Sequence, residues 1–526
     1  MHSTFLTHLR RCLKQAIAEN YDIEQNAKQS FKSSRRDALK KIGLGVSGMA
    51  LAGMISPLQG IGPILMGGKK PVIAILGGGI SGLHCAYVLQ KAGLKAMIYE
   101  GSGRVGGRMY TLHERFGKDR NTEAGGEFLD SDHSDMLGLA REFNLPLLDV
   151  TADGESFEST VFHYEGKNYS VQQVVAAFLP MVDRILGDRR QCGEDFDTPF
   201  AVSMDNQTLD QYILSLPCEQ WLQQLLIAAY VGEFGLDAGD QSAINFLSLV
   251  GIPMDGDFSM FGESDERYKV IGGNAQIVYK LADALQTQIK KDFVVSAIRK
   301  KGRQYQISFG NGQEIIADYV VCTLPYTIVR NLDLQIPDMS PLKQQCIKEL
   351  GYGMNNKLLM GVNQRVWRLG ARPTYGYLYD TMVHTGWDNS HMQADNQGGA
   401  GYTVFVGGTP SLELAAATSL EDKKRILSQD SLFAYLHKMD TVFGGFSAAC
   451  TQDHEVITWS GNPWVKGSYA CYKPGQMSTF GGKEGEPIGK NLLFAGEHCS
   501  VNFQGFMNGG AETGRLAAEE IIKQNI

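Results

Sequence analysis

Hydrophobic and polar positions follow different rhythms along the chain. Phe5, Leu9, Leu13 and Ile17 recur every fourth residue and predict a short amphipathic helix. An apolar run dotted with Gly, Ser and Pro57 extends from Ile42 to Met66. A spanning helix needs about 20 strongly apolar residues, and this run is too weak for one. Val72–Leu76 is continuously apolar, the pattern of a strand buried on both faces. A helical pattern that includes Ala86, Val88 and Leu89 follows, and then a second apolar strand, Ala96 to Tyr99. Residues 131–264 read as mainly helical. In 331–454, runs such as "NKLLMGVNQRVW" and "GYTVFVGG" predict an antiparallel sheet, the first strand ending at Trp367.

Between the two apolar strands stands Gly77-x-Gly79-x-x-Gly82, and the second strand ends on Glu100. Gly77 allows a tight turn, Gly79 lets backbone approach a pyrophosphate, and Gly82 lets helix and strand pack closely. The helix N-terminus offers N–H groups to phosphate, and Glu100 can accept from ribose hydroxyls. This predicts a dinucleotide-binding Rossmann unit.

Composition narrows the rest. The 526 residues, 43% hydrophobic, suffice for one large domain or two or three ordinary ones. A net charge of −8 and the lack of a basic stripe with interleaved aromatics exclude a general nucleic-acid binder. The nine cysteines include no Cys-x-x-Cys pair, so neither a disulfide framework nor a metal site is expected. Most should pack as small hydrophobes.

The loop after Glu100 separates NAD from FAD. It reads "EGSGRVGGRMYT" and resembles the FAD-dependent amine oxidase family, which includes monoamine, polyamine and L-amino acid oxidases. The likeness covers roughly residues 71–522. It implies that Arg104, Gly107 and Arg108 face the cofactor. "EAGGEF" resembles the segment that passes the flavin ring, and carries Gly125, Gly126 and Glu127. Val294-Val295 matches a strand whose backbone meets the adenine, and "ADYVVCTLP" the strand that re-enters the FAD domain. "NLLFAGEHCS" supplies Gly496 and Glu497 for the ribityl chain. In "GFMNGGAETGRLAAEEI" the helix N-terminus at Met507 faces the flavin.

The resemblance implies an α/β fold: a Rossmann-type FAD-binding domain with an inserted substrate domain of antiparallel sheet plus helices. The FAD domain is expected from 71–130, 265–330 and 455–526, the substrate domain from 131–264 and 331–454, and a leader from 1–70. Lys357 is expected to hold a water near the flavin and to favour its reoxidation. Tyr469 and Phe506 match the two walls of the family's aromatic cage. Some members attach FAD to a cysteine at the position of Ser468; serine cannot form that thioether, so non-covalent FAD is expected.

In this family the flavin supplies the redox chemistry. The implied reaction turns an L-amino acid or primary amine into an imine, then a keto acid or aldehyde plus ammonia, while O2 becomes hydrogen peroxide. Amino acids are slightly favoured by analogy. The alternatives are a monoamine or polyamine oxidase, a flavin desaturase, and a non-catalytic FAD-binding module. The substrate carboxylate has no evident arginine after "EAGGEFLDSDH". Glu127, Glu233 or Asp237 could instead line an entrance that attracts cations.

The leader carries nine Lys or Arg against four Asp or Glu in residues 1–41. Its Ser34-Arg35-Arg36-Asp37-Ala38-Leu39-Lys40 resembles a twin-arginine translocation signal, with Ala38 where an aromatic is more usual. Ala50-Leu51-Ala52 offers a cleavage site. This implies the twin-arginine translocation machinery as a partner and a periplasmic or secreted protein, membrane-anchored if uncleaved. A homo-oligomer stays open.

Overall fold

Ile73–Leu76 is the central strand of a parallel sheet, and each of its residues is buried. In the computed structural model, which describes residues 12, 13, 15, 70–150, 152, 158–248, 264–369, 373–391, 393, 398–421 and 424–525, this sheet has five strands. Their order is Leu492–Phe494, Tyr319–Cys322, Ile73–Leu76, Ala96–Tyr99, Ile289–Lys290, and every pairing is parallel. Burying one such aliphatic side chain is worth about 1.5–3 kcal/mol, so a strand apolar on both faces fits only between two covering layers. One layer is the helices Ile80–Lys91, Ala275–Ala284 and Met507–Asn525. The other includes a four-stranded sheet that runs through Val295–Lys301 and Gln304–Phe309.

The second large sheet has seven strands, centred on Asn356–Val362, Ala400–Val406 and His384–Asp388. It is antiparallel apart from the pairing of Thr374–Asp380 with Glu158–Tyr164. Helices from Val171–Phe178 to Ile244–Leu247 fill the space beside it. This is the expected α/β architecture, with differences in detail. The region 131–264 adds two strands to the seven-stranded sheet, Glu158–Tyr164 and Lys167–Tyr169. The boundary drawn at 454/455 falls inside the strand Cys450–Thr458, which pairs with Asn356–Val362. The strand read as ending at Trp367 stops at Val362, because the chain turns there into the short 3-10 helix Val366–Arg368.

Part of the expected leader packs against the fold. Cys12 and Leu13 are helical and 2% and 3% exposed, inside the core of the helical region. The rest of the fourfold repeat, the arginine pair, the apolar run and Ala50-Leu51-Ala52 lie outside the described residues. Among the described residues no helix is long and apolar enough to cross a membrane.

Small residues set the spacing of the first layer. A Cβ on Gly82 would lie 2.1 Å from the Gly77 carbonyl oxygen. One on Gly514 would lie 2.2 Å from the carbonyl oxygen of Ser81, so the helices Ile80–Lys91 and Met507–Asn525 touch backbone to backbone. Gly514→Ala must push these helices apart, and overpacking of this kind costs about 1–3 kcal/mol. The variant is expected to melt several degrees below the wild type; a thermal unfolding curve checks it.

Candidate active site

The two sheets meet at a cavity of about 630 Å³. One end is built from the parallel sheet's own ends. Gly77, Gly79, Ile80 and Ser81 line it where the first strand turns into its helix. That helix has no side-chain cap and no acidic residue in its first turn, which leaves its N–H groups and positive end for an anion. A Cβ on Gly79 would meet nothing within 4 Å, so there is room for a pyrophosphate against the backbone. The Glu100 carboxylate is oriented by the backbone N–H of Gly78 at 2.7 Å and of Ser102 at 2.8 Å, and its remaining lone pairs can take hydroxyls.

Arg104, Gly107, Arg108, Gly125, Gly126, Val295, Gly496, Glu497 and Met507 line the cavity as expected. Arg104 Nη2 donates to the Gly107 carbonyl at 2.6 Å, which closes its loop. Arg108 Nη1 donates to the Ser468 carbonyl at 2.5 Å and to Glu497 Oε1 at 2.9 Å. Burial alone would raise the pKa of the Glu497 carboxyl; the Arg108 charge and hydrogen bond outweigh it and leave the value below the usual one. The set fits a dinucleotide flavin: an open glycine turn, a helix N-terminus, an oriented carboxylate and an arginine–glutamate pair along one trough.

Gly82 and Glu127 do not line the cavity. Gly82 acts in packing. Glu127 is a correction: its side chain is fully buried and cannot line an entrance. Oε1 accepts from Lys269 Nζ at 2.6 Å and Oε2 from Lys357 Nζ at 2.7 Å. Burial raises its pKa, and the two ammonium groups together pull it below the ordinary value. The other suggested entrance acids are committed as well. Glu233 is 1% exposed, and Asp237 takes hydrogen bonds from the Thr409 N–H and hydroxyl.

Lys357 lines the other end of the cavity, beside Gly125 and Gly126. Its whole strand is buried. Its ammonium also donates to the carbonyls of Glu123 and Gly125, both at 2.9 Å, so its three N–H groups are used within the protein. This favours a fixed charge at the wall over an N–H held open for a water.

Tyr469 and Phe506 both line the cavity. The Tyr469 hydroxyl donates to the Glu233 carbonyl, and its ring packs with Phe128, Trp387 and Phe405. Phe506 stands edge-on to His133, with centroids 5.0 Å apart. Sequence reasoning missed Trp387 and Phe405, which no local motif marks, and gave no role to Phe128, which ends the string "EAGGEF". Nor did it find Lys269, whose partner is 142 residues away. Cys471 and Cys499 do not line the cavity, and the Ser468 hydroxyl donates to Asn355 Oδ1 at 2.6 Å.

Glu123 is the remaining buried acid. Thr111 donates to it at 2.8 Å and the Asn274 N–H at 2.7 Å. Burial, and then the nearby Glu127, push its pKa up to about 7. The folded state therefore holds a proton that the unfolded state releases near 4.5. This favours folding least at high pH: the relative stability falls as pH rises from about 4.5 through about 7. Glu123→Gln removes the dependence. Its stability relative to wild type should rise by about 3 kcal/mol between acid and weakly alkaline pH. Urea titrations of both proteins across that range check it.

Comparison with known proteins gives one consistent result. A family model described as flavin containing amine oxidoreductase matches residues 80–522. Amine oxidase [flavin-containing] B of Canis lupus familiaris is 24% identical over 476 residues, 87% of each chain. Its Homo sapiens counterpart is 23% identical over 473 residues, 86% of each chain. Among solved structures, cyclohexylamine oxidase from Brevibacterium oxydans superimposes with a TM-score of 0.73 at 20% identity, covering 87% of this chain and 100% of that one. Wild-type putrescine oxidase bound to putrescine gives 0.71 at 19%, covering 86% and 99%.

Proposed function

The chain belongs to the flavin-containing amine oxidoreductases, and from that premise we propose that it oxidises primary amines with an apolar body and passes the electrons to O2. The reaction is R–CH2–NH2 + O2 + H2O giving R–CHO, NH3 and H2O2. The observation that carries this reading is the aromatic lining of Phe128, Phe405 and Tyr469 beside Lys357, with Trp387 packed behind it, its ring centroid 5.3 Å from the Lys357 Nζ. FAD, held by the trough from Gly77 to Glu497, supplies the electron acceptor.

The chain's own residues do the rest. An aromatic, dry wall disfavours an ammonium and favours the neutral amine, whose lone pair the reaction needs. Lys357 places positive charge where negative charge accumulates as oxygen is reduced. Each cation on the cavity wall, Arg104, Arg108 and Lys357, already donates to protein acceptors. That argues for an amine over an amino acid, whose carboxylate would want a partner of its own. The structural neighbours agree on amines: one is an oxidase of cyclohexylamine, an apolar amine, and another of putrescine, a diamine. FAD is held without a covalent link, in keeping with serine at Ser468.

Peroxide production across a panel of apolar amines, diamines and L-amino acids tests the reading. Apolar primary amines should turn over fastest. Faster turnover of an L-amino acid would replace this reading with that of an L-amino acid oxidase. Lys357→Met should keep bound FAD and anaerobic reduction by substrate, and lose on the order of 10²-fold in reoxidation by oxygen. Stopped-flow absorbance of the flavin separates the two half-reactions.

The arginine pair supports export by the twin-arginine route, which carries folded cargo. The burial of Cys12 and Leu13 adds a condition: these two residues travel as part of the fold. Arg35→Lys with Arg36→Lys should keep active enzyme in the cytoplasm, and mass spectrometry of the exported protein should find residues 12 and 13 still present. Export of the double variant, or their loss, counts against the respective half of the proposal.

A further inference from the structure

Behind the cavity wall two lysines share one carboxylate. Lys269 and Lys357 bind opposite oxygens of Glu127, at 2.6 and 2.7 Å. All three side chains are nearly dry, at 6%, 1% and 1% exposure. A single Lys–Glu pair would already be neutral. While the neighbouring Glu123 holds its proton, the second ammonium leaves a surplus positive charge in a buried place, where removing a charge from water is costly unless something uses it. Lys269 does not line the cavity, so it cannot touch a ligand there. Its other contacts are the Asn389 carbonyl at 3.4 Å and the face of Phe128, with the centroid 5.4 Å away.

We propose that Lys269 is a positioning residue for the reaction: acting through Glu127, it fixes the Lys357 ammonium at the wall and leaves that wall with a net positive charge. The geometry supports both parts. With Lys269 on Oε1, the Glu127 carboxylate cannot rotate away from Lys357 without giving up a charge-assisted hydrogen bond. The backbone is held as well, since Asn274 Nδ2 donates to the Glu127 carbonyl at 2.8 Å and to that of Gly126 at 3.2 Å. Lys357 is thus aimed by a carboxylate that is itself pinned on its far side. The proposal rests on the preceding reading that the cavity takes FAD next to Lys357.

The test uses the FAD-loaded enzyme and three variants. Lys269→Met removes charge and donor, Lys269→Gln removes charge but keeps a donor, and Lys269→Arg keeps both. In the Met and Gln variants the midpoint potential of bound FAD should fall, and reoxidation by oxygen should slow by about tenfold. KM for the amine should stay unchanged, and the Arg variant should restore potential and rate. Thermal melting of the FAD-free proteins reports on the fold alone. A potential and reoxidation rate equal to wild type in the Gln variant would overturn the proposal, as would failure of both neutral variants to fold. The measurements separate this inference from the functional reading: the potential shift is readable even if no amine is turned over, whereas a wild-type enzyme inert towards every amine and amino acid counts only against the latter.

Discussion

A buried carboxylate needs cations, and buried cations need to be held. Glu127 and its two lysines meet both demands at the seam of the molecule. Glu127 ends the strip that passes the cavity. Lys269 comes from the strand Tyr268–Val270, and Lys357 from the seven-stranded sheet. Removing Glu127 leaves two unpaired ammonium groups in the interior, which is far costlier than losing a surface pair, whereas removing one lysine leaves a neutral pair. The three join the strip along the cavity to the strand Tyr268–Val270 and to the seven-stranded sheet, and so set the wall at Lys357.

The cofactor trough follows from the same economy of position. Its parts come from distant stretches of chain and are joined by a few bonds. Arg108 reaches Glu497 and the carbonyl of Ser468. Trp459 Nε1 donates to the carbonyl of Ala124 at 2.8 Å. Glycines allow backbones to meet where side chains would hold them apart. Phe128, Phe405 and Tyr469 line the same cavity as Lys357, so one cavity carries both the polar trough for the cofactor and an aromatic stretch of wall.

What was legible in the sequence was what is local. The turn Gly77 to Gly82 and its flanking strands form one contiguous unit, and each glycine there answers to a neighbour a few residues away. Lys357, Tyr469 and Phe506 could be placed because they stand in recognisable strings. Glu127 was placed on the right strip but given the wrong surroundings. Its partners are 142 and 230 residues distant, and nothing in "EAGGEF" shows which charges will stand behind it. The aromatic group escaped notice for the same reason: Phe128, Trp387 and Phe405 become neighbours only when the sheet forms. At Leu13, the one described position of the fourfold repeat, the sequence showed an apolar face but not what covers it, because periodicity tells only which face is apolar.

The parallel sheet is completed at one edge by Leu492–Phe494, and the cavity is closed by the helix that starts at Met507. The glycine turn that opens the site is therefore synthesised more than four hundred residues before the strand and helix that finish it. While the chain emerges from the ribosome, the first βαβ unit can form, but no complete cradle for FAD exists until the last elements have cleared the exit tunnel. Cofactor capture is then a late event coupled to final docking of the chain's far end. A nascent or truncated chain carries a flavin motif without a flavin site.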